Sequence, residues 1–382
     1  MKTIRLISRI ITGLVFIFSG FVKGIDPLGL TYKFNDYFQA FHLPFLNETS
    51  LTLALLMCAA EFIVGFSLVS GYKLKFGIRG VTFFMILFTI LTFVIALTNP
   101  VTDCGCFGDA IHLTNWQTFY KNIILSALVV IIYSGRNKIN EYPNHKTGWF
   151  VIGLTFLTFL LFSLYNLKYL PLIDFLPYNI GTSISEKMTI PEGAPVDEYS
   201  TTFIYEKEGQ QRVFTLENYP SNDSTWKFVS QKSKLLKKGY EPPIHDFSIS
   251  SYTGTDMTDM ILNDPGYSVI MITKKLSEAR DEDLQKGFNL GTYCQGNNIK
   301  FYIITASTRD ETLTYDKGFQ FSFGDETTLN TMVRANPGFI LINNGIITGK
   351  WAVANLPENE WFKNSMAGKQ LEQSFKLNPI IK

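Results

Sequence analysis

Long apolar runs fill the first 170 residues of this chain, and short ones replace them afterwards. A helix that crosses a bilayer needs roughly 17–25 mainly apolar residues. Five segments approach that length: Leu6–Val22, Leu51–Ser70, Val81–Leu97, Phe119–Tyr133 and Trp149–Leu167. The fourth is the shortest, with Trp116 and Tyr120 supplying an interfacial aromatic start. Lys2, Arg5 and Arg9 ahead of the first run could also head a signal peptide. However, Phe21-Val22-Lys23 offers no small-x-small cleavage pattern, so the first run reads as a retained anchor.

After these runs, Pro171, Pro177, Pro191 and Pro195 punctuate a connector with few helix-compatible stretches. Thr201–Glu206 and Gln211–Leu216 predict two strands around the turn Lys207-Glu208-Gly209-Gln210. Trp226–Lys238 predicts a short basic helix with a solvated face. From about Tyr240 strand and helix patterns alternate. Tyr267–Thr273 and Ile299–Thr305 predict buried strands, and Asp281–Gln295 between them predicts a helix ending at Gly296. Leu329–Ala335 predicts a short helix stopped by Asn336-Pro337. Phe339–Ile342 and Ile346–Trp351 then flank Asn343-Asn344-Gly345, a strong hairpin signal. This order implies helices layered on a mixed sheet.

Composition agrees with a membrane protein that carries a globular tail. Only 18% of the 382 residues are charged, against about 25% in soluble proteins. The 33 Phe exclude a disordered chain, and a net charge of +1 gives no basis for nucleic-acid binding. Four cysteines in this length exclude a disulfide-rich scaffold. Residues 1–170 hold 13 Lys and Arg against 7 Asp and Glu, whereas the remainder holds 21 against 26. Basic residues gather in cytoplasmic loops. Here they gather before the first run (Lys2, Arg5, Arg9), between the second and third (Lys73, Lys75, Arg79), and between the fourth and fifth (Arg136, Lys138, Lys146). The intervening loops carry only Lys23 and Lys33 up to Ser50, and no Lys or Arg between Thr98 and Thr118. The expectation is a multi-pass protein of a bacterial inner membrane, with a cytoplasmic N-terminus and a periplasmic C-terminal domain.

Candidate chemistry concentrates at the outer loop Thr102-Asp103-Cys104-Gly105-Cys106-Phe107-Gly108-Asp109. In an oxidising compartment, closely spaced thiols can form or exchange disulfides. A bond across so small a ring would be strained and easily reduced, which suits exchange. The alternatives are a static bridge, two buried thiols, or a metal site that recruits His112, for which no fourth ligand is evident. Cys58 and Glu61 lie three residues apart on one helical face of the second run. Glu61 falls about halfway through the bilayer, where an ionisable side chain points to function. It would accept or relay a proton coupled to the thiols, or else make a structural hydrogen bond. Cys58 reads more readily as a small core residue. Ser19-Gly20 and Gly65 permit close helix approach. Lys23 and Asp26 would pair with each other or with Asp103, or snorkel.

These residues carry a resemblance. Gly13-Leu14-Val15-Phe16-Ile17-Phe18-Ser19-Gly20 followed by Lys23, and Glu61 followed by Gly65 and Gly71, resemble the first two helices of the DoxX-like membrane family. Asp103-Cys104-Gly105-Cys106-Phe107-Gly108 resembles the branch that includes the methylamine-utilisation protein MauE. The resemblance covers about residues 1–135 and implies a four-helix membrane unit linked to disulfide formation or maturation of exported proteins. It would give a redox role to Cys104 and Cys106. The order of the tail, with Pro243-Ile244-His245-Asp246-Phe247 leading in, resembles the thioredoxin fold of membrane-tethered TlpA-type reductases. Pro337 would correspond to that fold's cis-proline. The tail departs from that group where its Cys-x-x-Cys should follow the first core strand, since this chain has Thr273-Lys274-Lys275-Leu276-Ser277-Glu278-Ala279. A thioredoxin-like domain inactive by itself is therefore expected, with Cys294 as a buried structural thiol.

The predicted architecture is an α-helical membrane bundle (residues 1–135, a four-helix unit), a cytoplasmic loop and fifth membrane helix (136–170), a connector with a β-hairpin (171–239) and an α/β thioredoxin-like soluble domain (240–382). The leading functional expectation is an envelope thiol–disulfide or electron-transfer component. Cys104, Cys106 and Glu61 would act at its site, and the tail would dock an envelope protein or thiol-redox partner. A non-enzymatic, membrane-anchored assembly or binding factor is the alternative, with Pro337 and Cys58 structural or partner-docking. A transporter ranks last, for want of a repeat or broken-helix pair. No motif identifies a cofactor, although a membrane quinone could serve the thiols as electron carrier.

Overall fold

Each of the five apolar runs is a helix, and each helix extends past its apolar stretch. The computed structural model describes residues 2–101, 104–138, 145–221, 223–237, 239–315 and 317–365. The helices are α1 (Lys2–Ile25), α2 (Pro27–Ala40), α3 (Ser50–Ser70), α4 (Leu74–Thr98), α5 (Asn115–Ser134) and α6 (His145–Tyr169). All but α2 belong to segments long and apolar enough to cross a membrane, and this is a multi-pass membrane protein. The short helix α2 has no counterpart among the sequence expectations. It starts where Asp26 accepts a hydrogen bond from the Gly29 N–H at 3.0 Å and Pro27 occupies the first helical turn. Both are helix-start signals.

Small residues join α1 to α3. A Cβ added at Gly20 would stand 2.7 Å from the Phe62 nitrogen, and one at Gly65 would stand 2.6 Å from the Ile17 nitrogen, so only glycine lets the two backbones approach this closely. Leu68, Ile78, Val81, Leu125 and Val129 fill the space between α3, α4 and α5. Phe83, Ile86, Ile90, Ile124 and Val130 face outward, as residues in contact with lipid do. Polar residues tie α4 to α5, with Asn122 donating to Thr92 at 3.1 Å and Thr89 bonding Ser126 at 3.0 Å.

Residues up to Gly181 and those from Ser248 onward form one compact unit, and Thr182–Phe247 forms another. The second unit holds a short helix α7 (Ile184–Met188) and a three-stranded antiparallel sheet, in the order β2-β1-β3. The strands are β1 (Glu198–Lys207), β2 (Gln210–Thr215) and β3 (Lys227–Lys237). The expected basic helix over Trp226–Lys238 is thus corrected to a strand. Phe228 opposes Tyr205 of β1 across the ladder, with their rings 5.7 Å apart, so a cross-strand aromatic pair overrides the local helix preference.

The tail of the first unit is a five-stranded mixed sheet in the order β6-β5-β4-β7-β8. Its elements in chain order are α8 (Thr258–Leu262), β4 (Tyr267–Thr273), α9 (Asp281–Gly296), β5 (Lys300–Thr305), α10 (Arg309–Thr314), β6 (Phe321–Phe323), α11 (Glu326–Met332), β7 (Gly338–Asn343) and β8 (Ile346–Ala352). β4, β5 and β6 run parallel, whereas β7 and β8 are antiparallel. β4 and β7 are buried along their whole length and form the centre of the core, where Val269, Met271, Phe288, Phe339 and Leu341 meet. The short helix expected over Leu329–Ala335 lies three residues earlier, because Asp325 caps it by accepting from the Thr328 N–H at 2.9 Å.

Candidate functional site

The loop between α4 and α5 carries Cys104 and Cys106 to the end of the bundle. Gly105, at φ +63°, supplies the left-handed turn that brings both sulfurs together, 3.2 Å apart. Two hydroxyls fasten this loop to the helices. Tyr37 of α2 donates to the Cys104 carbonyl at 2.7 Å, and Ser19 of α1 donates to the Cys106 carbonyl at 2.8 Å. Phe107 packs edge-on against Phe18, and the Lys121 ammonium lies 4.3 Å from its ring centroid. Thr102 and Asp103, also part of the expected motif, lie outside the described residues.

Within the thiol pair, the hydrogen bond from Cys104 holds the Cys106 thiol below the ordinary cysteine value, helped by the positive charges of Lys121 and Lys23 against the opposing effect of burial. The same bond, together with burial, pushes Cys104 upward. One sulfur is therefore poised as a thiolate and its neighbour as the proton-bearing thiol. Thiolate is the nucleophilic form.

Beneath the loop, Glu61 of α3 is fully buried and bonds Lys23 Nζ at 2.7 Å. Lys23, itself only 3% exposed, therefore neither snorkels nor pairs with Asp26 as expected. It turns inward because an unpaired carboxylate at this depth costs far more than a paired one. Ser19 also lies 2.8 Å from Glu61 Oε2. A hydroxyl has one proton to donate. Ser19 thus divides that proton between Glu61 and the Cys106 carbonyl, which couples the buried carboxylate to the thiol loop through one side chain. Cys58 is fully buried beside Leu30, Ala54 and Phe159. A cavity of about 140 Å³ joins these parts, lined by Ser19, Lys23 and Glu61, by both cysteines, and by apolar side chains including Phe34, Phe88 and Leu125.

Asp26 has a different partner from the one expected. Arg334, just after α11, donates to Asp26 at 2.7 Å through Nε and to Asp109 at 3.0 Å through Nη2, while Nη1 reaches the Asn330 carbonyl at 2.8 Å. The guanidinium is 7% exposed. Burial opposes its charge, but Asp26 and Asp109 raise its pKa above the ordinary value. Burial likewise pushes Asp109 up, partly offset by Arg334. Next to this clamp, Lys274 follows β4 and donates to the Tyr32 hydroxyl at 2.9 Å. Burial, then the Arg334 charge, pull Lys274 down to about 7, and burial pushes Tyr32 up to about 12.

Pro337 opens β7 after a cis Asn336–Pro337 peptide bond. The Asn336 side chain accepts from the Lys274 N–H at 3.1 Å and donates to the Lys275 carbonyl at 2.9 Å, so the proline loop lies against the loop after β4. Cys294 is a free thiol buried in α9. No group of three His, Cys, Asp or Glu placed to hold a metal occurs among the described residues. The structure thus brings together Cys104, Cys106 and Glu61. Sequence reasoning missed Lys23 and Ser19 as the residues that link them, and Arg334 and Lys274 altogether. A lysine within an apolar run three residues after Gly20 was a usable signal for Lys23. Arg334 gave none, since its two carboxylate partners lie more than 200 residues away.

Residues 1–135 match the family model of methylamine utilisation protein MauE. Residues 199–238, which coincide with the three-stranded sheet, match a domain of unknown function, DUF8463. No curated protein and no solved structure matches the chain.

Proposed function

We propose that this protein is a thiol–disulfide redox component of a bacterial cell envelope, with Cys104 and Cys106 as its exchanging pair. The observation that carries this reading is the placement of two sulfurs 3.2 Å apart above a buried Lys23–Glu61 ion pair. Cys106, held as thiolate, exchanges with a partner's thiols through a mixed disulfide, which the partner's second thiol resolves to leave both cysteines reduced or Cys104 resolves to leave them bonded. Lys23 and Lys121 stabilise the negative sulfur. Glu61 acts as a positioning residue, holding Lys23 and Ser19 in place. Alternating basic loops support an orientation with the thiol loop and the tail on the periplasmic side of the inner membrane.

In this reading the five-stranded sheet is a thioredoxin-like domain without its own dithiol. Strand order, together with a cis-proline loop lying against the loop after β4, supports that identity. Its role is to dock an envelope protein or thiol-redox partner. A non-enzymatic assembly factor is the second reading, favoured by Lys274 standing where a redox cysteine would be expected. The test is to acid-quench cells, tag free thiols and compare wild type with Cys104→Ser on a non-reducing gel. Mixed redox populations and a trapped mixed disulfide are expected. Full function in a Cys104→Ser, Cys106→Ser double variant would instead support the assembly factor.

A further inference from the structure

The cavity beside the thiols has a chemistry of its own. It is large enough for a six-membered ring, since an apolar cavity of about 150 Å³ accepts benzene. Its walls combine aromatic side chains, Phe34, Phe88 and Phe107, with a polar end formed by Ser19, Lys23 and Glu61. The Lys23 ammonium has three N–H donors, and Glu61 is its hydrogen-bond partner among the described residues. Donors therefore remain for a ligand acceptor. Leu87, another wall residue, is 47% exposed on the bundle's lipid-facing side, which puts one edge of the cavity within reach of the bilayer.

We infer that this cavity binds the head group of a lipid-soluble quinone and that the quinone takes electrons from Cys104 and Cys106. This deepens the thiol-redox reading and rests on it. A flat ring with carbonyl acceptors and an apolar tail satisfies the aromatic walls, the free lysine donors and the lipid-side edge together. An acyl chain would leave the Lys23 donors without an acceptor, at a desolvation cost.

The step balances as one thiolate, one thiol, one quinone and one proton giving one disulfide and one quinol. The Cys104–Cys106 S–S bond forms and the Cys104 S–H bond breaks. Two electrons leave the sulfurs and enter the ring. One proton on the quinol comes from Cys104. The other comes from Lys23, which regains it from solvent. A partner dithiol then reduces the pair by exchange.

Full-length protein in lipid nanodiscs, pre-reduced and free of oxygen, is mixed with decylubiquinone or with menadione. Quinone absorbance and thiol tagging are followed, and water-soluble glutathione disulfide serves as a separate oxidant. One quinone should be consumed per protein, with both thiols lost. Leu91→Trp, which fills the cavity from its α4 wall, should slow the quinone reaction at least tenfold yet leave oxidation by glutathione disulfide unchanged. Because that variant could misfold, Lys23→Met gives an independent arm, expected to raise the quinone concentration for half-maximal rate about tenfold. If glutathione disulfide oxidises the pair but neither quinone does, the quinone inference is wrong and the redox reading stands. If neither oxidant acts, the redox reading falls with it.

Discussion

A single proton on Ser19, shared between a buried carboxylate and the backbone of Cys106, sets the character of the site at the residue scale. The Cys104 hydrogen bond holds the Cys106 thiol below the ordinary cysteine value and pushes Cys104 above it, so Cys106 is the sulfur that reacts as thiolate. Alkylation of wild type by iodoacetamide should rise with a midpoint below that of an ordinary cysteine, and Cys104→Ala should move the midpoint up by removing the donor that holds it down. Mapping the modified cysteine by mass spectrometry checks both. The ion pair below gives a second prediction. Glu61→Ala strands Lys23 in an apolar bundle and should cost about 3–5 kcal/mol, whereas Glu61→Ala with Lys23→Met should recover most of it. Thermal unfolding of the four proteins of this cycle in nanodiscs decides the point. Sequence alone singled out Cys104, Cys106 and Glu61, because each is a chemically unusual residue in its setting. It could not reveal that Lys23 faces inward, because a lysine near a helix end can equally reach the interface.

Among the elements, the α1–α3 seam fixes where the buried pair and the thiol loop meet. Lys23 and Ser19 come from α1 and Glu61 from α3, so any separation of the two helices breaks the site. Gly20→Leu should separate them. Overpacking costs about 1–3 kcal/mol, and here the obstacle is backbone at 2.7 Å rather than a side chain that can yield. The expected outcome is a lower unfolding temperature together with a slower thiol reaction, read in the same samples. Apolar length made the five spanning helices legible, and short continuous apolar runs with the Asn343-Asn344-Gly345 turn did the same for β4, β7 and β8. Helix α2 was missed because its pattern is too polar for a span, although Asp26-Pro27 marked its start. β3 was misassigned because its lysines suggested a solvated helix, and only pairing with β1 distinguishes the two.

Across the whole molecule, Arg334 and Lys274 are where the tail of the first unit grips the bundle. Arg334 bridges Asp26, which caps α2, and Asp109, in the loop that carries the thiols. Lys274 titrates near 7 in the fold against 10.5 when unfolded. Between those values the unfolded chain binds more protons, so this group adds stability as pH rises from about 7 to 10.5 and withdraws it as pH falls, by at most about 1.4 kcal/mol per pH unit. Lys274→Met should flatten that dependence in thermal unfolding across pH 7–10. These contacts were illegible in the sequence, because they join residues 225–308 positions apart.

The central claim is that Cys104 and Cys106 form a reversible redox pair. Equilibrating the purified full-length protein against dithiothreitol and glutathione buffers of graded potential, then counting tagged thiols, tests it most directly. A stabilised Cys106 thiolate favours the reduced form and so raises the potential. A reversible two-electron transition with a midpoint above roughly −300 mV is expected. A pair that never oxidises, or a bridge that resists reduction below that potential, would contradict it.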